Sequence, residues 1–285
     1  MKNEIDNLKN KRGYLQNDFK IFHLKDKKGL EFEFHYHDFN KIIIFISGKV
    51  IYSIEGKGYK LKPWDILLVN SNEVHKPIID KGETYERIII WVNSDFILKH
   101  NSSNCNLFSC FKLASSQKIN LLRLDSQSLK NMKNILYQLE EAKNDFRFGN
   151  KILSNSLFLQ FLVYLNRLFL ERNNVNELSD IEYDESIGKI LDYINENLSE
   201  DLSIEKLSSK FYISKYHLMH KFKLQTGYTV HNYILQKRLV MANSLIKNGK
   251  SITEAAAESG FNDYSSFVRS FKKNFGVSPK NYLKK

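Results

Sequence analysis

The strongest constraint on this chain is a repeat within its last hundred residues. Ser203-Ile204 returns as Ser251-Ile252, 48 residues further on. After one inserted residue the offset becomes 49. Leu218 then returns as Phe267, His220 as Arg269, Phe222-Lys223 as Phe271-Lys272, Gly227 as Gly276 and Thr229 as Ser278. Each copy reads as a short helix, a tight turn, a polar cap, a second helix with an apolar heel, and a glycine stop. That layout is a helix-turn-helix.

The apolar spacing predicts helices throughout 186–283. Ile187, Ile190, Leu191 and Ile194 make a first stripe. Further segments run from Ser203 to Lys210, Ser214 to Gln225, Thr229 to about Lys247, Ser251 to Ser259 and Asp263 to Phe275. Ser203, Ser214, Thr229, Ser251 and Asp263 are N-cap candidates. Glu254 completes a capping box with Ser251, and Asn248-Gly249 fits a left-handed stop.

Within the first copy, Leu218 and Phe222 seat the second helix, while Lys215, Tyr216, Met219 and His220 project from its other side. Within the second, Phe267 and Phe271 form the heel, and Tyr264, Ser265, Val268 and Arg269 project. The N-terminal part of such a helix reaches base edges in the major groove. The caps Ser214 and Asp263 mark helix ends whose backbone N–H groups favour phosphate. Lys221, Lys223, Lys272 and Lys273 add cations that neutralise phosphates. A single pattern of this kind also describes a generic helical bundle with a basic face. Two copies on one long helix favour paired readers, set about 34 Å apart along one duplex.

Charge points the same way with less force. The chain of 285 residues carries a formal +11. Residues 186–285 hold 16 Lys and Arg against 8 Asp and Glu, a net of +8, leaving +3 for the first 185. Such a concentrated surplus suits a polyanionic partner, although a lysine-rich codon bias produces the same excess.

Upstream the periodicity changes. IIIFISG, KVIYSIEG, YKLKPWDILLVN and YERIIIWV, between about Phe19 and Val92, are short β-branched and aromatic runs. They are separated by turn signals at Ser47-Gly48, Glu55-Gly56-Lys57-Gly58 and Ser71-Asn72, which suggests a small barrel or sandwich. Two helices are expected between Ser126 and Arg172. Leu129, Met132, Leu136 and Leu139 stripe the first; the second is apolar on most faces and needs cover on several sides. It contains Ser154, Asn155, Gln160, Asn166 and Arg167, so it reads as a protein-buried helix rather than a bilayer span. The polar, acidic stretch 171–183 is the best linker. Cys105 and Cys110, in what looks like a polar loop, make neither a disulfide framework nor a tetrahedral metal site. They read as free thiols in a reducing cytoplasm, and the N-terminus has no apolar signal core.

The stretch SITEAAAESGFNDYSSFVRSFKKNFGVSPKNYL resembles the second helix-turn-helix of AraC-type regulators. Gly260-Phe261, Phe267, Arg269, Phe271-Lys272-Lys273, Gly276, Ser278-Pro279 and Tyr282 carry the resemblance. The first copy joins it through Ser214, Leu218, Phe222-Lys223, Gly227, Tyr233, Arg238 and Ala242. Ala255, Ser208, Leu283 and His220 depart from the family pattern. The strand region resembles the cupin sensor domains often placed ahead of this pair: Gly29, His35-Tyr36-His37, Lys41 and Gly48 follow the first cupin motif, and Trp64-Asp65, Asn70 and His75 the second. Lys41 stands where a metal-binding cupin carries Glu, and Trp64, Asn70 and Asn72 where it carries Gly, Pro and Gly.

The resemblance implies an α+β two-domain protein. A cupin-like β-barrel followed by two helices would span 19–172 as the effector-binding and dimerisation domain, a linker 173–185, and an all-α double helix-turn-helix domain 186–283. The implied function is sequence-specific transcription regulation modulated by a small-molecule effector. The alternatives are a cupin-type metalloenzyme with a basic tail and a ligand-independent DNA binder. DNA contacts are expected from Ser214, Lys215, Tyr216, Met219, His220, Lys223, Asp263, Tyr264, Ser265, Arg269, Lys272 and Lys273. Effector contacts are expected from His35, His37, Lys41 and His75. These histidines face either a polar lumen or solvent; an organic effector, a metal on the three imidazoles and a plain scaffold remain open, and no metal, cofactor or catalytic residue is assigned. The implied partners are double-stranded DNA, a sugar or other metabolite, a second copy of the chain and RNA polymerase; a membrane is not among them.

Overall fold

The computed structural model describes residues 15, 17–27, 29–37, 39–143, 145–171, 180–182 and 184–282. The expected linker 173–185 and Leu283 thus fall partly or wholly outside the described residues. Two compact units result, one from Met1–Ile54 and Gly58–Glu182, the other from Glu55–Lys57 and Tyr183–Lys285.

The strands are β1 (Phe19–Asp26), β2 (Asn40–Ser47), β3 (Val50–Ile54), β4 (Lys57–Lys60), β5 (Ile66–Val69), β6 (His75–Ile79), β7 (Tyr85–Val92), β8 (Leu121–Leu122) and β9 (Ile181–Glu182). They form a five-stranded sheet, β1-β7-β2-β5-β8, and a four-stranded sheet, β6-β3-β4-β9. The cupin-like architecture therefore takes the form of two sheets; among the described residues the ladders do not close into a barrel. The first sheet is covered on both faces, which is why β2 reads as an unbroken apolar run. Ile42 and Ile44 join Ile66, Leu68, Ile88 and Ile90 in a core shared with helices. Ile43 and Phe45, on the opposite face, pack with Tyr52, Ile54 and Tyr59 of the second sheet.

The helices of this unit are α1 (Ser94–Lys99), α2 (Ser109–Gln117), α3 (Ser126–Lys143) and α4 (Asn150–Glu171). The supposed cysteine loop is corrected in part: Cys110 lies on α2 and is buried in the core, while Cys105 is exposed, and both are free thiols. Asn166 of α4 reaches across to α2, accepting from Cys110 N at 2.8 Å and donating to Leu107 O at 3.0 Å. Helix α3 buries Met132, Ile135, Leu136, Leu139 and Ala142. Among the described residues α4 alone is long and apolar enough to cross a membrane. Its Leu157, Phe158, Phe161, Leu162, Leu165 and Phe169 are buried in the core of this unit. Cover reaches the body of the helix, while Ile152, Leu153 and Leu170 towards its ends remain exposed.

The second unit is helical: α5 (Glu185–Glu196), α6 (Ile204–Lys210), α7 (Lys215–Thr226), α8 (Val230–Lys247), α9 (Ile252–Glu258), α10 (Tyr264–Phe275) and α11 (Pro279–Tyr282). All five expected caps form: the side chains of Ser203, Ser214, Thr229, Ser251 and Asp263 each accept from the first turn they precede. Ser251 and Glu254 make the reciprocal capping box. The α5 stripe Ile187, Ile190, Leu191 and Ile194 is buried as its spacing requires.

Candidate nucleic-acid interface and histidine cluster

The two repeats fold alike. Each carries a second helix of 12 residues, α7 or α10, capped by Ser214 or Asp263 and ended by a left-handed glycine, Gly227 at φ 75° or Gly276 at φ 78°. Their heels are fully buried: Leu218 and Phe222 in the first copy, Phe267 and Phe271 in the second. Burying each aromatic heel is worth about 1.5–3 kcal/mol, enough to hold the helix by one side and leave the other free. On the free side Lys215, Tyr216, Met219, His220 and Lys223 are exposed, as are Tyr264, Ser265, Arg269, Lys272 and Lys273. Tyr216 stacks its ring near His220, with centroids 6.1 Å apart.

Several polar groups are already engaged. The Asp263 carboxylate accepts from Ser265 N and Ser266 N at 3.3 and 2.6 Å, so its charge serves the amides of its own helix. Lys215 pairs with Glu205, and Lys221 pairs with Asp184 at 2.6 Å. An open cavity of about 590 Å³ is lined by Lys215 and Met219 of α7, His231 of α8 and Asn262, the residue preceding the α10 cap. The cavity thus lies beside the N-terminal end of α7, between the 199–205 segment and α8.

The packing between the repeats was not legible from the pattern alone. Gly260, in the turn of the second copy, sits at φ +87°, and a Cβ there would lie 2.2 Å from Leu198 O and 2.8 Å from Arg238 Nε. Arg238 of α8 donates to Leu198 O at 2.9 Å and to Glu200 O at 2.6 Å. Both residues were singled out by resemblance, yet nothing local says that they meet.

In the first unit the sequence-named residues His35, His37, Lys41 and His75 come together. His35 and His75 exchange backbone hydrogen bonds, His75 N to His35 O at 2.9 Å and His35 N to His75 O at 3.2 Å. Asn72 N donates to His37 O at 2.7 Å, pinning the segment beside β6. Of the two orientations open from strand parity, the inward one is found: His37 and His75 are buried and His35 half-buried. One ring nitrogen from each of the three lies within 4.8 Å of the others. Lys41 Nζ donates to His75 Nε2 at 3.0 Å. Burial, reinforced by the Lys41 charge, pushes His35 down to about 4 and holds His37 and His75 well below the usual histidine range. Burial also pushes Lys41 down to about 7, with Arg87 adding to the effect.

A buried ion pair between Arg87 and Asp26 lies in the same unit and went unnoticed in the sequence. Arg87 sits over the Tyr85 ring at 4.1 Å. The signal was available: a lone arginine within YERIIIWV, whose neighbours fill both faces of a covered strand, has no route to water and needs an anion.

Comparison with known proteins bears on both regions. A family model described as an AraC-like ligand binding domain matches residues 22–162, and one described as a helix-turn-helix domain matches 207–285. The chain belongs to the AraC family. It is accordingly a DNA-binding transcription regulator with an N-terminal ligand-binding domain. This AraC-family chain is similar to the probable transcriptional regulator LumQ of Photobacterium leiognathi, 27% identical over 87% of this chain and 91% of that one. The HTH-type transcriptional activator RhaR of Mannheimia succiniciproducens is 26% identical, over 88% of this chain and 87% of its own. Among solved structures, ToxT from Vibrio cholerae is similar over 94% of this chain and 98% of that one, with 17% identity and a TM-score of 0.35. The C-terminal domain of AraT, a response regulator from Geobacillus stearothermophilus, covers 35% of this chain and 85% of its own, with 25% identity and a TM-score of 0.35.

Proposed function

We propose that this AraC-family chain grips one face of a DNA duplex with both helix-turn-helix units and alters that grip when the first unit takes up a small polar metabolite. Base edges are read by Tyr216, Met219 and His220 of α7 and by Tyr264, Ser265 and Arg269 of α10. Lys215, Lys223, Lys272 and Lys273 meet phosphates, and Ser214 and Asp263 set the helix ends. The reading rests chiefly on one observation: α7 and α10 are each held by a buried heel, Leu218 with Phe222 and Phe267 with Phe271, and each leaves the face bearing the proposed contacts exposed. The 18-residue helix α8 between the repeats is about 27 Å long at 1.5 Å per residue, the scale of one turn of duplex.

His35, His37, Lys41 and His75 are the residues that orient the effector, with three acceptors and one donor in one buried place. Coupling to DNA requires that the effector bind two states of the protein with different affinity. The proposed division is a sensor over 19–172, a connection over 173–185 and the DNA-binding domain over 186–283. A homodimer is proposed through the α3–α4 end, where Phe146, Phe148, Ile152 and Leu153 are exposed apolar residues; RNA polymerase is the further partner. The role is regulatory and not enzymatic: a metalloenzyme reading needs a metal with an open position, and Lys41 carries its ammonium into the three-imidazole cluster.

Selection of binding sites from random DNA, with and without cell extract, tests the proposal. The expected result is a motif of two elements spaced by one helical turn, with extract altering recovery. Recovery no better than random duplex would overturn the reading.

A further inference from the structure

The three imidazoles of the first unit are wired alike. His35 Nδ1 lies 2.9 Å from Glu33 O, His37 Nδ1 3.0 Å from Phe39 O, and His75 Nδ1 2.8 Å from Glu73 O. A carbonyl oxygen only accepts, so in each neutral ring Nδ1 carries the proton and Nε2 keeps its lone pair. The backbone has thereby fixed three tautomers in one sense. One nitrogen from each ring falls within 4.8 Å of the others. His37 Nε2 is buried without a hydrogen-bond partner. A histidine that donates one ring N–H to a backbone carbonyl and offers the other nitrogen is the arrangement metal sites use, and three such rings suffice for a divalent ion.

The fourth group contradicts that fit. Lys41, on β2, places its Nζ 3.0 Å from His75 Nε2. Among the described residues no salt bridge joins Lys41 to a carboxylate, so its hydrogen-bond partner is the imidazole. An ammonium and a divalent ion repel at this range, and the cluster of possible metal ligands contains three histidines and no carboxylate.

We infer that the Lys41 ammonium is the resident cation of a three-imidazole cradle, standing in the place of a metal ion, and that the cradle would take a divalent transition-metal ion once that ammonium is removed. The inference does not depend on the effector reading, since no effector enters its test. The position of the cation follows from geometry: Lys41 Nζ, supplied from β2, bonds His75 Nε2 at 3.0 Å, at a cluster in which one nitrogen from each ring lies within 4.8 Å of the others.

Chelator-stripped full-length protein is titrated with Co2+ at about pH 6, below the value of about 7 to which Lys41 is pushed, so that its amine is charged, and bound metal is measured after gel filtration together with the visible d–d absorption. The wild type is expected to retain no stoichiometric Co2+. Lys41→Met and Lys41→Gln are expected to gain about one equivalent per chain, with the visible bands of a low-coordinate site. Adding His75→Ala to Lys41→Met should abolish both signals. One equivalent bound by the wild type and lost on His75→Ala would overturn the inference, as would absence of binding in folded Lys41 variants. A measurement on the wild type covers the case in which those variants do not fold: long-range proton–nitrogen NMR of the histidine rings. It should find His75 protonated at Nδ1 and free of a proton at Nε2. A proton on His75 Nε2 would overturn the inference.

Discussion

Gly260→Ala probes the close approach that joins the two helix-turn-helix copies, and Gly249→Ala is its control. Both glycines have positive φ, +87° and +89°, so an L side chain at either costs about 1–2 kcal/mol in backbone strain. At Gly249 nothing lies within 4 Å of the added Cβ, and the loss ends there. At Gly260 the Cβ meets Leu198 O at 2.2 Å, and the neighbour is backbone. The 198–200 loop must retreat, an overpacking cost of about 1–3 kcal/mol. Retreat also stretches the Arg238 bonds to Leu198 O and Glu200 O, each worth roughly 1.5–3 kcal/mol when intact. Counting partial loss of one bond, Gly260→Ala should destabilise the helical unit by about 2–4 kcal/mol more than Gly249→Ala, a gap of roughly 10–20 °C for a unit of this size. The assay separates the units without dissecting the chain. The only two tryptophans, Trp64 and Trp91, belong to the first unit. Far-UV circular dichroism should show an early helical transition in Gly260→Ala while tryptophan fluorescence melts as in the wild type. Equal melting of the two variants, within about 1 kcal/mol, would refute the argument that backbone contact, rather than φ alone, demands glycine.

Three further outcomes are expected. Arg269→Ala should cost about 1–3 kcal/mol on the selected site and relax preference at one base pair, whereas Lys272→Ala should weaken all sequences alike and flatten the salt dependence; fluorescence anisotropy over a range of salt distinguishes them, and a uniform loss for Arg269→Ala makes it a phosphate contact. The stability of the first unit should fall as pH drops below about 6.5, because His35 is pushed down to about 4, His37 and His75 are held well below the usual range, and the unfolded chain takes up each proton first; the gap between thermal melts followed by tryptophan fluorescence at pH 7 and 5 should narrow in His35→Gln, with His37 and His75 keeping the rest, and an unchanged gap refutes His35 as a source. Lys41 acts in the same sense at higher pH, adding stability as pH rises above about 7. Replacing Phe148 and Ile152 together by Ser should halve the mass seen by light scattering if the exposed α3–α4 end is the dimer contact; a persistent dimer places the contact elsewhere.

What could be read from the chain alone was what lies close in sequence. A cap is decided within four residues, and Ser203, Ser214, Thr229, Ser251 and Asp263 all cap where expected. A heel is decided by a spacing of four, and Leu218 with Phe222 and Phe267 with Phe271 are buried accordingly. The strand runs were legible for the same reason, as was the grouping of His35, His37, Lys41 and His75 through the cupin resemblance. Helices α1 and α2 escaped because they are short, and their apolar residues become core only against α4, as Cys110 does through Asn166 more than fifty positions away. Tertiary structure alone decided that the described strands form two separate sheets, that Arg87 finds Asp26, that Gly260 leaves no room for a Cβ beside Leu198, and that Lys41 points its charge at His75. Each of these joins residues far apart in sequence, and such pairs are selected by packing and by the need to satisfy buried charge once the chain has collapsed; local pattern carries no record of which distant partner will be there.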